Sequence, residues 1–253
     1  MHRLVRLGCL VLMTLAASSP AAAAETAMHK PRVPVEAPPG TTHAGWASSN
    51  WSGYAVTGSG FNSITGSWVV QTVALSKKAT YSSQWIGIDG FNDSNLIQTG
   101  TESDSANGST RYDAWWEILP AAETVIPSLT VKPGDHMSAS VTHGSGSSWT
   151  IVISDTSTGQ SYTTVQAYTG PQTSAEWIEE APSVGGRIAT LANYGLTTFD
   201  PGTLNGRNPG LTASESGIMV QHSRQVSTPS NPNSDTDGFN MQYGSMQPSL
   251  PSS

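Results

Sequence analysis

In residues 84–102, QWIGIDGFNDSNLIQTGTE, apolar and polar side chains alternate on both sides of a turn-rich centre. A period of two marks a β-strand with unlike faces, because successive side chains point to opposite sides. Trp85, Gly87 and Asp89 share one side of the first strand, opposite Ile86 and Ile88. Gln98, Gly100 and Glu102 share one side of the second, opposite Ile97 and Thr99. Gly90, Asn92, Asp93 and Asn95 supply a loop that joins antiparallel strands. The pair therefore buries isoleucine on one face and gathers a tryptophan, two acids and an amide on the other. Such a face reads either as an ordinary strand pair with one exposed tryptophan or as the floor of a cleft.

Short strands separated by turn clusters continue to about residue 226. Strands are expected at 65–73, 112–119, 137–143, 188–194, 196–199 and 217–226, with a hairpin formed by 149–154 and 161–167. No stretch carries a 3.6-residue period, and no internal repeat is present. Roughly 180 residues of this kind predict an all-β fold: an antiparallel β-sandwich over residues 47–226.

The flanks differ. Residues 1–24 combine a basic start (His2, Arg3, Arg6), an apolar run and the small residues Ala22, Ala23 and Ala24, the pattern of a secretory signal peptide. The apolar run is shorter than the roughly 20 residues a membrane span needs. Secretion is the expected destination, with no membrane attachment after cleavage. Residues 25–46 hold Pro31, Pro34, Pro38, Pro39 and Gly40, and read as a linker or short pro-segment without fixed structure. Residues 227–253, rich in Pro, Ser, Asn and Asp, read as a flexible tail despite Phe239 and Tyr243.

Composition excludes several chemistries. The single cysteine, Cys9, lies in the targeting segment, so a cleaved chain has no disulfide, thiolate metal site or thiol nucleophile. The net charge of −7 becomes −9 once Arg3 and Arg6 are removed, which argues against nucleic acid or anionic membranes as partners. Charged residues make up 11% of the chain, against roughly 25% in an average soluble protein. A fold with few ion pairs has few to lose in acid. No G-x-S-x-G elbow, no D-T-G or D-S-G motif and no H-E-x-x-H motif is present. His136 and His143 are poorly spaced for a metal. No Gly-rich loop precedes a helix, so nucleotide binding has no support.

What remains is carboxylates, amides and tryptophans on strands. In 112–119, YDAWWEIL, Asp113, Trp115, Glu117 and Leu119 share a face, which repeats the acid-and-tryptophan pattern. In 174–180, SAEWIEE, Glu176 lies inside the pattern, whereas Glu179 and Glu180 are expected at a solvated strand end. These blocks resemble the glutamic peptidases, or eqolisins. The matching elements, in order, are WIGIDG (85–90), LIQTG (96–100), YDAWWE (112–117) and AEWI (175–178). The resemblance implies a sandwich of two seven-stranded sheets, of the concanavalin-like or jelly-roll kind, with a concave substrate cleft. It implies a catalytic pair at Gln98 and Glu176, with Trp85, Asp89, Asp113, Trp115 and Glu117 lining the cleft. Glu102 stands where the family usually has Asp, and Leu119 where an aromatic residue is expected; both bear on subsite preference.

The residues themselves agree with that pair. Amide hydrolysis needs an activated water, a donor for the oxyanion and a proton for the leaving amine. A carboxylate can perform the first and third tasks in turn, while a glutamine donates to the oxyanion without competing for charge. The expectation is a secreted acid endopeptidase, acting on polypeptides as a monomer, with no metal or cofactor. A β-sandwich glycosidase using paired carboxylates such as Glu117 and Glu176, or a sugar-binding module, remains open.

Overall fold

The computed structural model describes residues 27–41 and 45–252; the targeting segment expected at 1–24 lies outside the described residues. Seventeen strands follow one another: β1 (Trp46–Ser48), β2 (Trp51–Thr57), β3 (Ser63–Val69), β4 (Ser83–Ile88), β5 (Ile97–Ala106), β6 (Ser109–Ile118), β7 (Thr124–Val125), β8 (His136–His143) and β9 (Ser148–Asp155), then β10 (Gln160–Ala167), β11 (Ser174–Glu180), β12 (Ser183–Val184), β13 (Arg187–Ile188), β14 (Leu196–Leu204), β15 (Ser216–Gln221), β16 (Arg224–Pro229) and β17 (Phe239–Tyr243). Among the described residues the helical content is one 3-10 turn, Ala213–Glu215.

The fold is all-β and almost wholly antiparallel, as the alternation predicts. The hydrogen-bonded order runs β10-β9-β8-β3-β14-β17-β16-β15-β2-β11-β4-β5-β6-β7, with β1 added beside β15. The strand count per layer differs from the expectation of two separate sheets. One 15-stranded sheet doubles over on itself, and β12 and β13 form a small second sheet. The two halves meet through their isoleucine faces. Ile86, Ile88, Ile97, Ala175 and Trp177 pack in one buried cluster with Ile64, Trp68, Met137, Val141, Ile151 and Ile153 of the facing half. Full burial of each such side chain contributes about 1.5–3 kcal/mol. Polar ties between the halves hold their register: Trp68 Nε1 donates to Thr101 Oγ1 at 2.9 Å and Trp177 Nε1 to the Thr65 carbonyl at 2.8 Å.

The described residues of both flanks pack on the sheet, against the sequence-based expectation. Met28 bridges Ser183, Arg32 N–H donates to the Gly90 carbonyl, and Pro34 bridges Ser48. At the other end β17 inserts between β14 and β16, with Phe239 stacked on Phe199 at 5.2 Å. Its Phe239 and Met241 carry the two-residue alternation inward, a signal masked by the surrounding Ser and Asn. Residues 217–226 are not one strand but a hairpin, β15 and β16, turned at His222 and Ser223, which both have positive φ. Of the strand expected at 188–194, only Ile188 belongs to a strand, the end of β13.

Candidate active site

The outer face of β2, β11, β4, β5 and β6 carries a second apolar cluster of Trp51, Trp85, Leu96, Trp115 and Ile178, all fully buried. Register places the polar groups around it. Glu176 of β11 stands opposite Gly87 of β4, Gly87 opposite Gln98 of β5, and Gln98 opposite Glu117 of β6. One row therefore reads Glu176, Gly87, Gln98, Glu117. At the usual strand spacing, Glu176 and Gln98 arise roughly 10 Å apart at the backbone. Gly87 leaves the ground between them without a side chain. A Cβ there would lie 2.9 Å from the Trp85 ring and 3.0 Å from Leu96. Gly100 serves the next row, since its Cβ would fall 2.5 Å from that of Trp85.

Hydrogen bonding gives Gln98 a fixed orientation. Its Nε2 donates to Glu117 Oε2 at 2.7 Å. Gln98 Oε1 and both Glu176 oxygens are buried and accept no hydrogen bond. Burial drives the Glu176 pKa well above the ordinary 4.5; the Ser174 hydroxyl is close enough to oppose this without completing a hydrogen bond. Glu117 is pushed up to about 8 by burial, against the pull of His29. Burial and the neighbouring Asp104 together hold Glu102 well above its ordinary range, and Asp104 itself is raised to about 7, again chiefly by burial.

The other expected residues fall in several places. Trp85 and Trp115 form the floor: Trp85 Nε1 donates to Glu180 Oε2 at 2.9 Å and Trp115 Nε1 to Ser83 Oγ at 3.1 Å. Glu102 lies on the same face two residues along from Gly100, fully buried. Asp113 sits at the rim, partly exposed and paired with Arg111. Asp89, with a positive φ, anchors a turn: its carboxylate accepts from Tyr168 Oη at 2.6 Å, Gln172 N at 3.0 Å and Thr173 N at 2.7 Å. That anchor fixes the entry to β11, and so acts on Glu176 through the backbone.

Glu179 and Glu180 are not solvated. Glu179 is buried under Gln71 Nε2 at 3.1 Å, and Glu180 lies in the cleft. Alternation from Glu176 through Ile178 to Glu180 already places Glu180 on the cleft face.

The sequence reading missed the residues that cover the cleft. His29 is fully buried, its ring stacked on Trp115 at 3.8 Å and 17°. Its backbone N–H donates to Glu117 Oε1 at 3.3 Å, and Nδ1 bonds Glu180 Oε2 at 2.9 Å. Burial alone would lower the His29 pKa, but Glu180, Glu123 and Glu117 around it hold it well above 6.5. Lys30 N–H donates to Glu180 Oε1, and the Arg32 guanidinium sits 4.0 Å over the Phe91 ring. Residues 28–35 thus lie across the tryptophan floor. One grouping there, His29, Glu102 and Glu123, has the donor set for a metal ion.

Comparisons with known proteins bear on the same region. The sequence model of the Peptidase A4 family matches residues 49–243. Aspergillopepsin-2 of Aspergillus niger is 30% identical over 186 residues, which cover 63% of this chain and 65% of that protein. Scytalidopepsin B of Scytalidium lignicola is 30% identical over 137 residues, 52% of this chain and 51% of that protein. The chain thus spans less than two thirds of the length of these curated relatives. Among solved structures, scytalido-glutamic peptidase with a transition state analog inhibitor aligns with a TM-score of 0.67 at 21% identity, covering 77% of this chain and 98% of that one. Aspergilloglutamic peptidase from Aspergillus niger aligns at 0.54 with 25% identity, covering 65% and 99%. Residues 28–35, which lie across the tryptophan floor, fall outside the family match.

Proposed function

The chain belongs to the Peptidase A4 family, and on that premise we propose that it is a glutamic-type endopeptidase that cleaves polypeptides in acid with Glu176 and Gln98. The observation that carries this reading is the row Glu176, Gly87, Gln98, Glu117, in which three unpartnered oxygens flank a glycine packed under Trp85 and Leu96. The ionised Glu176 carboxylate takes a proton from water, and the water oxygen attacks the scissile carbonyl carbon. The second Gln98 amide hydrogen, free of Glu117, donates to the oxyanion as it forms. Glu176 then returns the proton to the leaving nitrogen, and the C–N bond breaks. Glu117 holds Gln98 in place.

In the covered state burial favours the protonated Glu176, which cannot act as a base. Substrate entry requires residues 28–35 to move off the tryptophan floor; water then reaches Glu176 and its pKa falls toward the ordinary range. An acid optimum follows, since a glutamate near 4.3 is ionised while Glu117, raised to about 8 by burial, is still neutral beside Gln98.

The glycosidase reading fits less well. Glu117 and Glu176 arise roughly 14 Å apart at the backbone, whereas glycosidase carboxyls sit about 5–9.5 Å apart, and Gln98 stands between them. A sugar-binding module would leave the Gln98–Glu176 row without a role. We further propose secretion, from the basic, apolar and small-residue pattern of residues 1–24, and action as a single chain. The test is Glu176→Gln assayed on casein from pH 2 to 6. Hydrolysis should vanish while the far-UV spectrum is kept; substantial residual activity in a folded variant would remove Glu176 from the role of base.

A further inference from the structure

We propose that His29, Glu102 and Glu123 form a site for one divalent transition cation of the zinc type, which clasps the N-terminal segment onto the cleft. Each residue offers a ligand atom, and these atoms lie within 4.8 Å of one another. All three side chains are buried, and they come from separate parts of the chain: the N-terminal segment, β5 and the turn before β7. Both Glu102 oxygens have no hydrogen-bond partner, and His29 Nε2 and Glu123 Oε2 have only each other, at an ion-pair distance of 3.5 Å. Buried acceptors left without donors are costly, so a group that satisfies several at once has a strong claim on the space.

The imidazole is arranged as a ligand. Glu180 Oε2 takes its Nδ1 side at 2.9 Å, so when a metal displaces the other ring proton the lone pair stands on Nε2, toward the two carboxylates. The Trp115 face fixes the ring plane, and Nε2 then lies 3.5 Å from Glu123 Oε2. A carboxylate behind a ligating imidazole is the usual outer arrangement at protein metal sites. Ligand atoms around a four-coordinate zinc stand about 3.3 Å apart, so the three side chains need to close by about an ångström or more. One imidazole with two carboxylates suits zinc or manganese; calcium prefers six to eight oxygens. The ion is not catalytic, because none of its ligands belongs to the Glu176–Gln98 row.

The experiment reads metal rather than hydrolysis, so it succeeds or fails separately from the peptidase assignment. The full chain carrying Glu176→Gln, to prevent self-cleavage, is equilibrated with zinc chloride near pH 7 and bound zinc is counted. One zinc per chain is expected, with hydrogen exchange at residues 28–35 slowed by zinc. Added His29→Ala or Glu102→Gln should each weaken binding at least tenfold, and Glu180→Gln by about 10–100-fold. His136→Ala, at an exposed histidine, should leave binding unchanged. Absence of stoichiometric zinc, or zinc bound equally well after Glu102→Gln, an isosteric change that leaves the segment intact, would overturn the site.

Discussion

Gln98 Nε2 donates to Glu117 Oε2 at 2.7 Å across the β5–β6 register, while Gln98 Oε1 is buried and unpartnered. The amide is thereby oriented by a neighbour that takes no part in bond breaking. Because Glu117 is raised to about 8 by burial, it is neutral across the acid range and adds no charge beside the oxyanion.

Glu117→Ala should therefore lower kcat by about tenfold or more, with a smaller change in KM, because a freed Gln98 samples unproductive rotamers. Glu117→Gln, which is neutral and can still accept through its carbonyl, should recover most of the loss. Equal losses in both variants would show that Glu117 does more than hold the amide.

Gln98→Ala should cost about 10²-fold or more in turnover, the scale seen when one oxyanion donor is removed. A loss of tenfold or less, measured by initial rates on a peptide substrate, would reduce Gln98 to a structural amide.

Gly87→Ala tests the strip between the pair. The added methyl meets the Trp85 ring, Leu96 and the Ile97 carbonyl at 2.9 to 3.1 Å. Overpacking of this kind costs about 1–3 kcal/mol. Urea unfolding should show that loss, and activity should fall as well because Trp85 and Leu96, displaced by the methyl, form the floor between Glu176 and Gln98.

Much of this site is legible in the sequence, and for a definite reason. Period-two alternation fixes which side chains share a face within each strand, and the resemblance to the glutamic peptidases is what joins Trp85, Gln98, Trp115, Glu117 and Glu176 in one cleft. Asp89 breaks the pattern because its positive φ turns it out of the strand, which alternation cannot register. His29 and Glu123 were invisible, since they meet Glu102 from 73 and 21 residues away in the chain. A proline-rich segment such as 28–35 looks unstructured by composition. It is ordered here because the sheet supplies its partners: Ser183, Glu180, Asn50 and Gly90. The continuous sheet was missed for a similar reason, as β17 hides two inward apolar residues in a polar tail.

Stability should be greatest in acid and fall as the pH rises. Glu176 and Glu179 are both fully buried, and burial raises the pKa of each well above 4.5 in the folded state. A folded pKa above the unfolded one means that the native state holds the proton more tightly. The stability these groups contribute is therefore complete below about 4.3, their pKa in an unfolded chain, and is lost as the pH climbs through the folded values. Glu179 separates this effect from catalysis, because it lies on the face opposite the Glu176 row and contacts Gln71. In Glu179→Gln the neutral form is permanent, so the fall in Tm between pH 4 and pH 8 should shrink while the acid-side Tm stays close to that of the wild type. With roughly 2–4 °C per kcal/mol in a domain of this size, a fall of about 5 °C or more in the wild type is expected. Thermal melts of both proteins at each pH decide the matter: a wild-type Tm that rises toward neutrality would contradict the buried-acid account.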